Sequence, residues 1–471
     1  MNVKILFSFL ILTVIGLLIF SIPILLHKDV DPLLSISAFV MISIYIVLSL
    51  ELLDRASIAL LGAVILVASA IALQVILPQK SLEFIITIID FNTIGLLLGM
   101  MIVVAILGET GIFNWVAVKA SELSRGDPWK LFIILCTFTA TVSMFVDNVT
   151  IILLMVPVTL TIFRFLNRSP FPYLIGQTMC SNIGGTATLI GDPPNIIIGS
   201  AANIDFNSFI LGLGPTVLIT FVSSLFILRF FFKDEFKSKF DVKALDGIKH
   251  ETIVKDKPLL KKSLVILGAV IILFIIQRYI GIEVSLIAIG GAAVLLAIAR
   301  LKIEKILGEV DWSTLLFFVG LFIVIGVFRE AGGIQILSNT VLSLTGGDPW
   351  PTFLSTIWIS AIASGFLDNI PFTITMVPLI ETLTVHPNIA TGFGNLQVNP
   401  LWWALAFGAD LGGNMTLIGS SAGVVAAGIS AKFGHRITFN QWFKIGLPFT
   451  IITVLIGMIS LSLLTLLSLI L

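Results

Sequence analysis

The sequence predicts an all-α polytopic membrane protein with about 11 transmembrane helices. These form two inverted five-span repeats, each with a re-entrant hairpin and a discontinuous helix. Three observations lead to this fold class: the composition, the length of the apolar blocks and an internal repeat. Apolar residues make up 57% of the 471 positions and charged residues only 11%, which is too little charge to cover the surface of a soluble protein.

The apolar residues fall in blocks of about 20 residues, the length that a helix needs to cross a bilayer. They do not alternate with polar residues as the strands of a β-barrel would. The first block is too long for the core of a typical signal peptide, so residues 1–30 are interpreted as an N-terminal transmembrane helix. The predicted spans lie near 5–26, 33–53, 56–77, 91–108, 172–203, 208–232, 263–279, 284–300, 312–328, 401–430 and 441–471.

Polar positions recur along the chain at a nearly constant offset. The Gly-Asp-Pro-Trp turn at 126–129 returns 221 residues later at 347–350. The Gly-Gly segment at 183–191 returns 228 residues later at 411–419. Such regular self-similarity indicates two homologous halves. The predicted domains are an N-terminal helix (1–30), a first repeat (31–232), a linker (233–262) and a second repeat (263–471).

The distribution of lysine and arginine predicts the orientation in the membrane. The linker 233–262 contains nine lysines and is predicted to be cytoplasmic, because positive charges mark cytoplasmic loops. The loop 381–400 contains no lysine or arginine and is predicted to be external. Since each half contributes an odd number of crossings, the second half is inverted. The protein is expected in the cell (inner) membrane, with its N-terminus cytoplasmic and its C-terminus external.

Two repeat-related acidic pairs, Asp147-Asn148 and Asp368-Asn369, interrupt apolar segments that are short for a crossing. Each pair is therefore interpreted as the tip of a re-entrant hairpin. A carboxylate at mid-membrane costs roughly 3 kcal/mol, which predicts a function at these tips. Capping of the following half-helix is the alternative. Capping combined with ion or proton binding is favoured. All four residues are candidate ligands of a Na⁺ ion.

A second pair of polar motifs lies at 181–195 and 409–421. A Gly-Gly pair weakens a helix and tandem proline ends it, so each motif predicts a discontinuous helix. Its freed carbonyls could coordinate a cation, and its new N-terminus could attract an anion. Close packing through small residues is the alternative, but it does not explain the adjacent polar side chains. The candidate ion- or substrate-binding residues are Asp147, Asn148, Thr150, Asn182, Gly184, Gly185, Thr186, Thr188, Asp192, Asn195, Asp368, Asn369, Thr373, Asp410, Gly412, Gly413, Asn414 and Thr416.

Other function classes find little support in the sequence. The formal net charge is zero, so no nucleic-acid partner is expected. Cys136 and Cys180 lie far apart in apolar segments and imply neither a disulfide nor a metal site. No Walker loop and no nucleophile–base set is visible, so the chain is not expected to be an enzyme or to bind a cofactor. The expected partners are membrane lipid and a small ion, with Na⁺ or H⁺ as the coupling ion.

The segments 145–157, 181–195 and 366–373 resemble the arsenite permease/NhaD antiporter (ArsB/NhaD) branch of the ion transporter superfamily. Within it, they are most similar to the P-protein permeases. The resemblance covers about residues 31–471, essentially everything after the first span. It implies a homodimer in which each protomer has a scaffold domain. A mobile transport domain would carry both hairpins in an elevator-like motion.

The sequence of the hairpin tips differs between groups of this superfamily. Relatives that carry dicarboxylates with sodium have Ser-Asn-Thr tips, whereas both tips here read Asp-Asn. This difference argues against citrate or succinate as the substrate. It also departs from typical arsenite permeases, while the sodium–proton antiporters share the pattern more closely.

These observations predict a proton- or sodium-coupled secondary active transporter of the elevator type that moves a small inorganic ion, with sodium/proton antiport favoured. The first alternative is a permease for arsenite or another anion that uses the half-helix N-termini. The absence of arginine and lysine from both motifs disfavours a strongly charged anion, but arsenite is neutral as its acid. A dicarboxylate or citrate carrier and an ion channel are further alternatives.

Overall fold

The computed structural model describes residues 31–50, 52–240, 254–394 and 396–470. Within these residues every regular element is helical. The predicted first span 5–26 and the central part of the linker, 241–253, lie outside the described residues.

The described part of the first repeat contains ten α-helices and one short 3-10 helix, Pro78–Lys80. The α-helices are α1 (Pro32–Ser49), α2 (Arg55–Ala72), α3 (Ser81–Ile88), α4 (Phe91–Glu109), α5 (Ile112–Ser124), α6 (Pro128–Ser143), α7 (Asn148–Leu166), α8 (Phe171–Gly185), α9 (Pro193–Ala202) and α10 (Phe206–Phe231).

The second repeat follows the same order, with one short additional helix, α18, after its hairpin. Its helices are α11 (Lys257–Ile280), α12 (Val284–Ala299), α13 (Ile303–Leu307), α14 (Trp312–Glu330), α15 (Gly333–Thr345), α16 (Pro349–Leu367), α17 (Asn369–Thr384), α18 (Pro387–Gly392), α19 (Pro400–Gly412), α20 (Ser421–Lys432) and α21 (Phe439–Ile470).

Eight helices in the described ranges are long and apolar enough to cross a membrane, and three shorter apolar helices accompany them. The all-α polytopic fold class is thus confirmed. Both predicted discontinuous helices are present, because α8 ends at Gly185 and α9 restarts at Pro193, while α19 ends at Gly412 and α20 restarts at Ser421.

One arm of each hairpin is longer than the sequence suggested, while the other arms, α6 and α17, contain 16 residues each. Helices α7 and α16 each contain 19 residues, about the length of a crossing helix. Length alone therefore does not distinguish a hairpin arm from a span; the contacts of the tip do. The short helices α5 and α15 were not predicted. Each follows a glycine with positive φ, Gly111 at 79° and Gly332 at 81°, a conformation that other residues rarely adopt.

The two repeats interlock through equivalent contacts. Helix α2 packs on α14 of the other repeat, and its counterpart α12 packs on α4. A Cβ built on Gly99 would lie 2.5 Å from the backbone of Ala288, and one built on Gly320 would lie 2.6 Å from the backbone of Ala59. Both contacts join repeat-related residues, so the halves are related by a pseudo-two-fold axis. We call α1, α2, α4, α11, α12 and α14 the frame.

The hairpins and broken helices form a second group that interlocks in the same way. Helix α7 of the first hairpin packs on α20, and α17 of the second hairpin packs on α9. The first arms, α6 and α16, pack on α8 and α19 of their own repeats. We call α6–α10, α16, α17 and α19–α21 the site body. Its centre is where the two hairpin tips meet the two helix breaks.

Candidate functional site

Both hairpin tips cap the helix that follows them. The Asp147 carboxylate accepts hydrogen bonds from the Thr150 backbone N–H at 2.9 Å and from the Thr150 hydroxyl at 2.5 Å. The Asp368 carboxylate accepts one from the Ile370 backbone N–H at 3.2 Å. The capping role that the sequence left open is therefore real at both tips. Thr150 occupies both carboxylate oxygens of Asp147, whereas the second oxygen of Asp368 binds other partners.

The buried Asp192 carboxylate joins the two tips. Its Oδ2 accepts hydrogen bonds from the Asn148 amide at 2.5 Å and from the Asn369 amide at 3.0 Å. Asn148 Oδ1 in turn accepts a hydrogen bond from the Ser143 hydroxyl at 2.5 Å. Asp192 occupies the N-cap position of α9 but makes no side-chain capping bond. Its carboxylate instead receives one asparagine from each repeat.

The two helix breaks meet directly. The Asn182 amide donates to Asn414 Oδ1 at 2.9 Å and to the Ser420 hydroxyl at 3.1 Å. Ser420 also caps α20 through the backbone N–H of Gly423. Asn182 belongs to the first repeat, and Asn414 and Ser420 belong to the second. The polar residues predicted from two distant motifs thus form one buried cluster.

Asp410 is the exception in this cluster. It is fully buried, and neither of its carboxylate oxygens accepts a hydrogen bond from the described residues. Its side chain faces Thr186 and Asn195. The Asn195 amide is already committed to the carbonyls of Gly185 and Thr188, both at 3.0 Å. The side-chain oxygen of Asn195 likewise has no donor.

Four acids share this region, because Asp192 and Asp410 lie at the two helix breaks and Asp147 and Asp368 lie at the two hairpin tips. No group of three or more His, Cys, Asp or Glu side chains in the described ranges is arranged to hold a metal ion. The polar groups around the acids are amides, hydroxyls and backbone carbonyls.

A threonine ties each helix break to the neighbouring hairpin. The Thr188 hydroxyl donates to the Met144 carbonyl, and the Thr416 hydroxyl donates to the Gly365 carbonyl at 2.5 Å. The predicted site residue Thr373 lies in α17, and its buried hydroxyl has no hydrogen-bond partner among the described residues. Thr188 and Thr416 thus bind the protein backbone in this conformation.

The paired glycines bring the hairpin arms onto the broken helices. A Cβ on Gly184 would lie 2.1 Å from the carbonyl oxygen of Ala140, and one on Gly412 would lie 2.4 Å from that of Ala361. Gly185 and Gly413 are similarly enclosed. The packing alternative therefore holds for the glycines. It does not account for the polar side chains beside them.

A family model described as "Citrate transporter" matches residues 45–408, which include both hairpins and the first helix break. The chain belongs to the citrate transporter family. This places it in the ion transporter superfamily, as the motifs predicted. The matched model names citrate transporters rather than the arsenite permease/NhaD antiporter branch.

Relatives in the family support a transport function. An uncharacterized transporter of Mycobacterium tuberculosis is 36% identical over 427 residues, covering 90% of this chain and 97% of the relative. The human P protein is 33% identical over 511 aligned residues, covering 92% of this chain and 60% of the P protein. The similarity to P-protein permeases is thereby confirmed, and the chain is a multi-pass membrane transporter rather than an enzyme.

A solved structure agrees at the level of the fold. The antimetabolite efflux pump MtrF of Neisseria gonorrhoeae superposes with a TM-score of 0.50 at 14% identity, covering 82% of this chain and 84% of that chain. At 14% identity this similarity shows that the two proteins share a fold, and nothing more.

Sequence reasoning missed an arginine in the site. Arg55, the first residue of α2, lies 2.9 Å from the Asp368 carboxylate and also donates to the Ser421 hydroxyl. The motifs themselves contain no arginine or lysine, but the fold brings Arg55 from α2 to the second hairpin tip. Arg55 stands at the start of a predicted span, where a basic residue ordinarily marks the membrane boundary. No local pattern in the sequence connects it with Asp368.

Proposed function

We propose that this transporter is a secondary active carrier in which a small ion moves in exchange with, or together with, a proton or sodium. Sodium/proton antiport is the favoured form. The observation that carries the proposal is the environment of Asp410. A fully buried carboxylate that accepts no well-formed hydrogen bond from the described residues is destabilising when ionised, because the nearby Thr186 and Asn195 side chains repay only part of the desolvation of its charge.

Such a group is stable if it holds a proton or contacts a cation. Asp192 differs, since two amide donors stabilise its charge, and Asp368 has the guanidinium of Arg55. Among these acids, Asp410 is therefore the one whose buried charge would be stabilised most by binding a proton or a cation. Thr186 and Asn195 beside it offer further oxygen atoms.

The ligand chemistry supports sodium and protons over softer ions. The polar groups of the cluster are carboxylates, amides, hydroxyls and backbone carbonyls, which are hard oxygen ligands. The tip residues Asp147, Asn148, Asp368 and Asn369 supply such oxygens at the mouth of the cluster and remain candidate sodium ligands. Two hairpins that meet at two helix breaks also match the plan of carriers with a central ion site.

Two alternatives keep specific support. The family model carries the name of citrate transporters, and Arg55 supplies a positive charge that a carboxylate substrate could use. The resemblance of the motifs to the arsenite permease/NhaD antiporter branch supports a permease for neutral arsenite as the other alternative. In this structure the charge of Arg55 is neutralised by Asp368, which favours a cation over a carboxylate as the transported ion.

The same resemblance leads us to propose a homodimer in the cell (inner) membrane. The site body would move against the frame in an elevator-like manner. The lysine distribution supports a cytoplasmic N-terminus and linker, with an external loop at 381–400. A cysteine placed in each segment and labelled from outside in intact cells tests this orientation; labelling of the linker with protection of 381–400 would contradict it.

Flux through proteoliposomes tests the coupling. Purified protein is assayed for radioactive sodium uptake driven by an imposed pH gradient, with citrate and arsenite uptake measured in parallel. Asp410→Asn should abolish sodium–proton exchange, because asparagine cannot exchange a charge with either ion. Asp348→Asn is the matched control, since the Asp348 side chain makes no capping bond. Exchange at the wild-type rate in Asp410→Asn protein would contradict the proposal, and citrate uptake without sodium–proton exchange would favour the carboxylate alternative.

A further inference from the structure

One ion pair connects the frame to the site body at the candidate site. Arg55 Nη1 on α2 lies 2.9 Å from Asp368 Oδ2 at the tip of the second hairpin. The Ser421 hydroxyl, at the start of α20, also donates to Asp368 Oδ2 at 2.9 Å, and Arg55 donates to that hydroxyl. One guanidinium therefore contacts both the second hairpin and the second helix break.

The backbone at this tip is unusual. Asp368 has φ 70° and ψ 142°, a region that residues with a Cβ rarely occupy. Such a conformation persists where the surroundings hold it, and it is concentrated at ligand sites and switch regions. The surroundings here are the Arg55 guanidinium and the Ser421 hydroxyl. Asp147, at the related position of the first repeat, has an ordinary φ of −56°.

The pseudo-two-fold axis shows that this contact has no counterpart. Because Ala59 corresponds to Ala288 in the frame contacts, Arg55 corresponds to Val284 at the start of α12. Valine cannot pair with a carboxylate, and Asp147 accepts its hydrogen bonds from its neighbour Thr150. The symmetry of the site is thus broken by one basic side chain from the frame.

We propose that Arg55 is an internal counter-ion that occupies the Asp368 carboxylate in the absence of sodium and is displaced when sodium binds there. The inference rests on the proposed cation coupling and names the residue that links ion binding to movement. Displacement removes the charged contact between the frame and the tip of the second hairpin, so sodium binding loosens the site body from the frame at this tip. The pair between Arg329 of α14 and Glu381 of α17, at 3.2 Å, joins the same two bodies away from the tip and is not affected.

The chemistry of the two groups supports competition. Arginine keeps its charge at all physiological pH values, so it cannot yield the carboxylate by losing a proton. Sodium at the same carboxylate would face the guanidinium at close range, and like charges repel strongly where water is scarce. Sodium and Arg55 should therefore bind Asp368 in alternation. A ligand that favours one of two states shifts the balance between them by its difference in affinity.

A second contact keeps the bodies aligned when the pair opens. The Tyr45 hydroxyl on α1 donates to the Pro371 carbonyl at 3.1 Å and also contacts the Thr375 hydroxyl. Neither contact involves an ion. Loss of the Arg55 contact should therefore loosen this interface without separating the two bodies.

The test measures the opening of the interface without using transport. Leu48 on α1 lines the small cleft that also contains Arg55 and Asp368, so Leu48→Cys is a reporter for thiol labelling. The background lacks Cys136 and Cys180, the two native cysteines. In sodium-free choline buffer, Arg55→Gln and Asp368→Asn should each raise the labelling rate several-fold. Arg55→Lys should stay near the wild-type rate, because lysine retains the charge.

The matched control is Arg278→Gln. Arg278 in the frame pairs with Asp205 of the site body at 3.4 Å, on a more exposed surface, and its loss should leave the reporter unchanged. Added sodium should raise labelling in the wild-type reporter and have no further effect in Arg55→Gln. An unchanged rate in Arg55→Gln, or no response of the wild-type reporter to sodium, would overturn the inference. Absence of coupled flux with the labelling pattern intact would instead contradict the proposed function alone.

Discussion

The two hairpin tips have the same Asp-Asn sequence and different surroundings. Asp147 is partly exposed and accepts hydrogen bonds from Thr150. Asp368 is buried, has a positive φ and pairs with Arg55 of the frame. Their asparagine neighbours instead share one acceptor, Asp192. The repeat therefore reproduces the local motif, while the other half of the molecule decides what each motif contacts.

The likeness between the halves is greatest where backbone meets backbone. Gly184 and Gly412 press against the first arm of each hairpin through equivalent contacts, with Ala140 and Ala361. The difference is greatest where side chains reach across the pseudo-two-fold axis. The backbone packing of the two halves is thus symmetric, whereas the charged contacts of their hairpin tips are not.

The largest expected loss of stability and transport follows from changing the equivalent glycine contacts of the two halves. Gly184→Ala and Gly412→Ala each place a methyl group within 2.1 and 2.4 Å of a backbone oxygen. Such overpacking costs about 1–3 kcal/mol or more. Both variants should melt well below the wild type in detergent and lose transport. Gly428→Ala in α20 is the control, because a Cβ there meets nothing within 4 Å; unequal losses at the two glycines would break the proposed equivalence of the halves.

The next effect concerns the acceptor shared by both tips. Asp192→Asn keeps an oxygen that Asn148 and Asn369 could bind but removes its charge. Hydrogen bonds to charged groups contribute about 1.5–3 kcal/mol, against 0.5–1.5 kcal/mol for neutral ones. We expect a loss of about 1–2 kcal/mol in stability and no coupled flux. Normal sodium–proton exchange in this variant would show that the Asp192 charge takes no part in transport.

A third expectation separates the tips themselves. The sequence alone predicts that Asp147→Asn and Asp368→Asn abolish coupled transport with similar severity, because the halves are homologous. The structure predicts unequal stability, since Asp368→Asn also leaves Arg55 unpaired. We expect a further loss of about 1 kcal/mol at Asp368, kept small because the Arg55 side chain is 34% exposed and partly solvated. Melting temperatures and flux measured on the same preparations compare the two tips, and equal melting temperatures would remove the stabilising role of the ion pair.

The smallest effects are expected at the Gly-Asp-Pro-Trp turns. Asp127 caps α6 through the Lys130 backbone N–H at 3.0 Å, and asparagine caps about as well as aspartate. Asp348 makes no such bond. Asp127→Asn and Asp348→Asn should therefore stay within about 0.5 kcal/mol of the wild type and retain most transport. A large loss at either position would show that these turns contribute to the mechanism.

Much of the architecture could be predicted from sequence because it depends on local chemistry. Long apolar blocks require helices, the Gly-Gly and Pro-Pro steps interrupt them, and aspartate caps the helix that follows it. The short helices α5 and α15 were missed because their signal is a single glycine turn at Gly111 and Gly332. The length of one arm in each hairpin was also misjudged, since apolar periodicity does not mark where a helix ends.

The candidate site shows the same division. Most of the predicted polar residues belong to one buried cluster, because the repeat identified the two helix breaks and the two tips. Arg55 was not found, since it lies more than 300 residues from Asp368 in the chain and carries no motif. The special position of Asp410 could not be seen either, because a missing donor is a property of the packed interior.

The sequence by itself determined the helices, the repeat and the residues able to bind an ion, because each depends on neighbours along the chain or on a comparison of one half with the other. Only the tertiary structure decided which acid has a counter-ion and which has none. Asp192 receives two amides, Asp368 receives a guanidinium and Asp410 receives no donor among the described residues. The physical reason is that desolvation and pairing of a charge depend on groups brought together by packing, and the two homologous halves supply different groups at equivalent places.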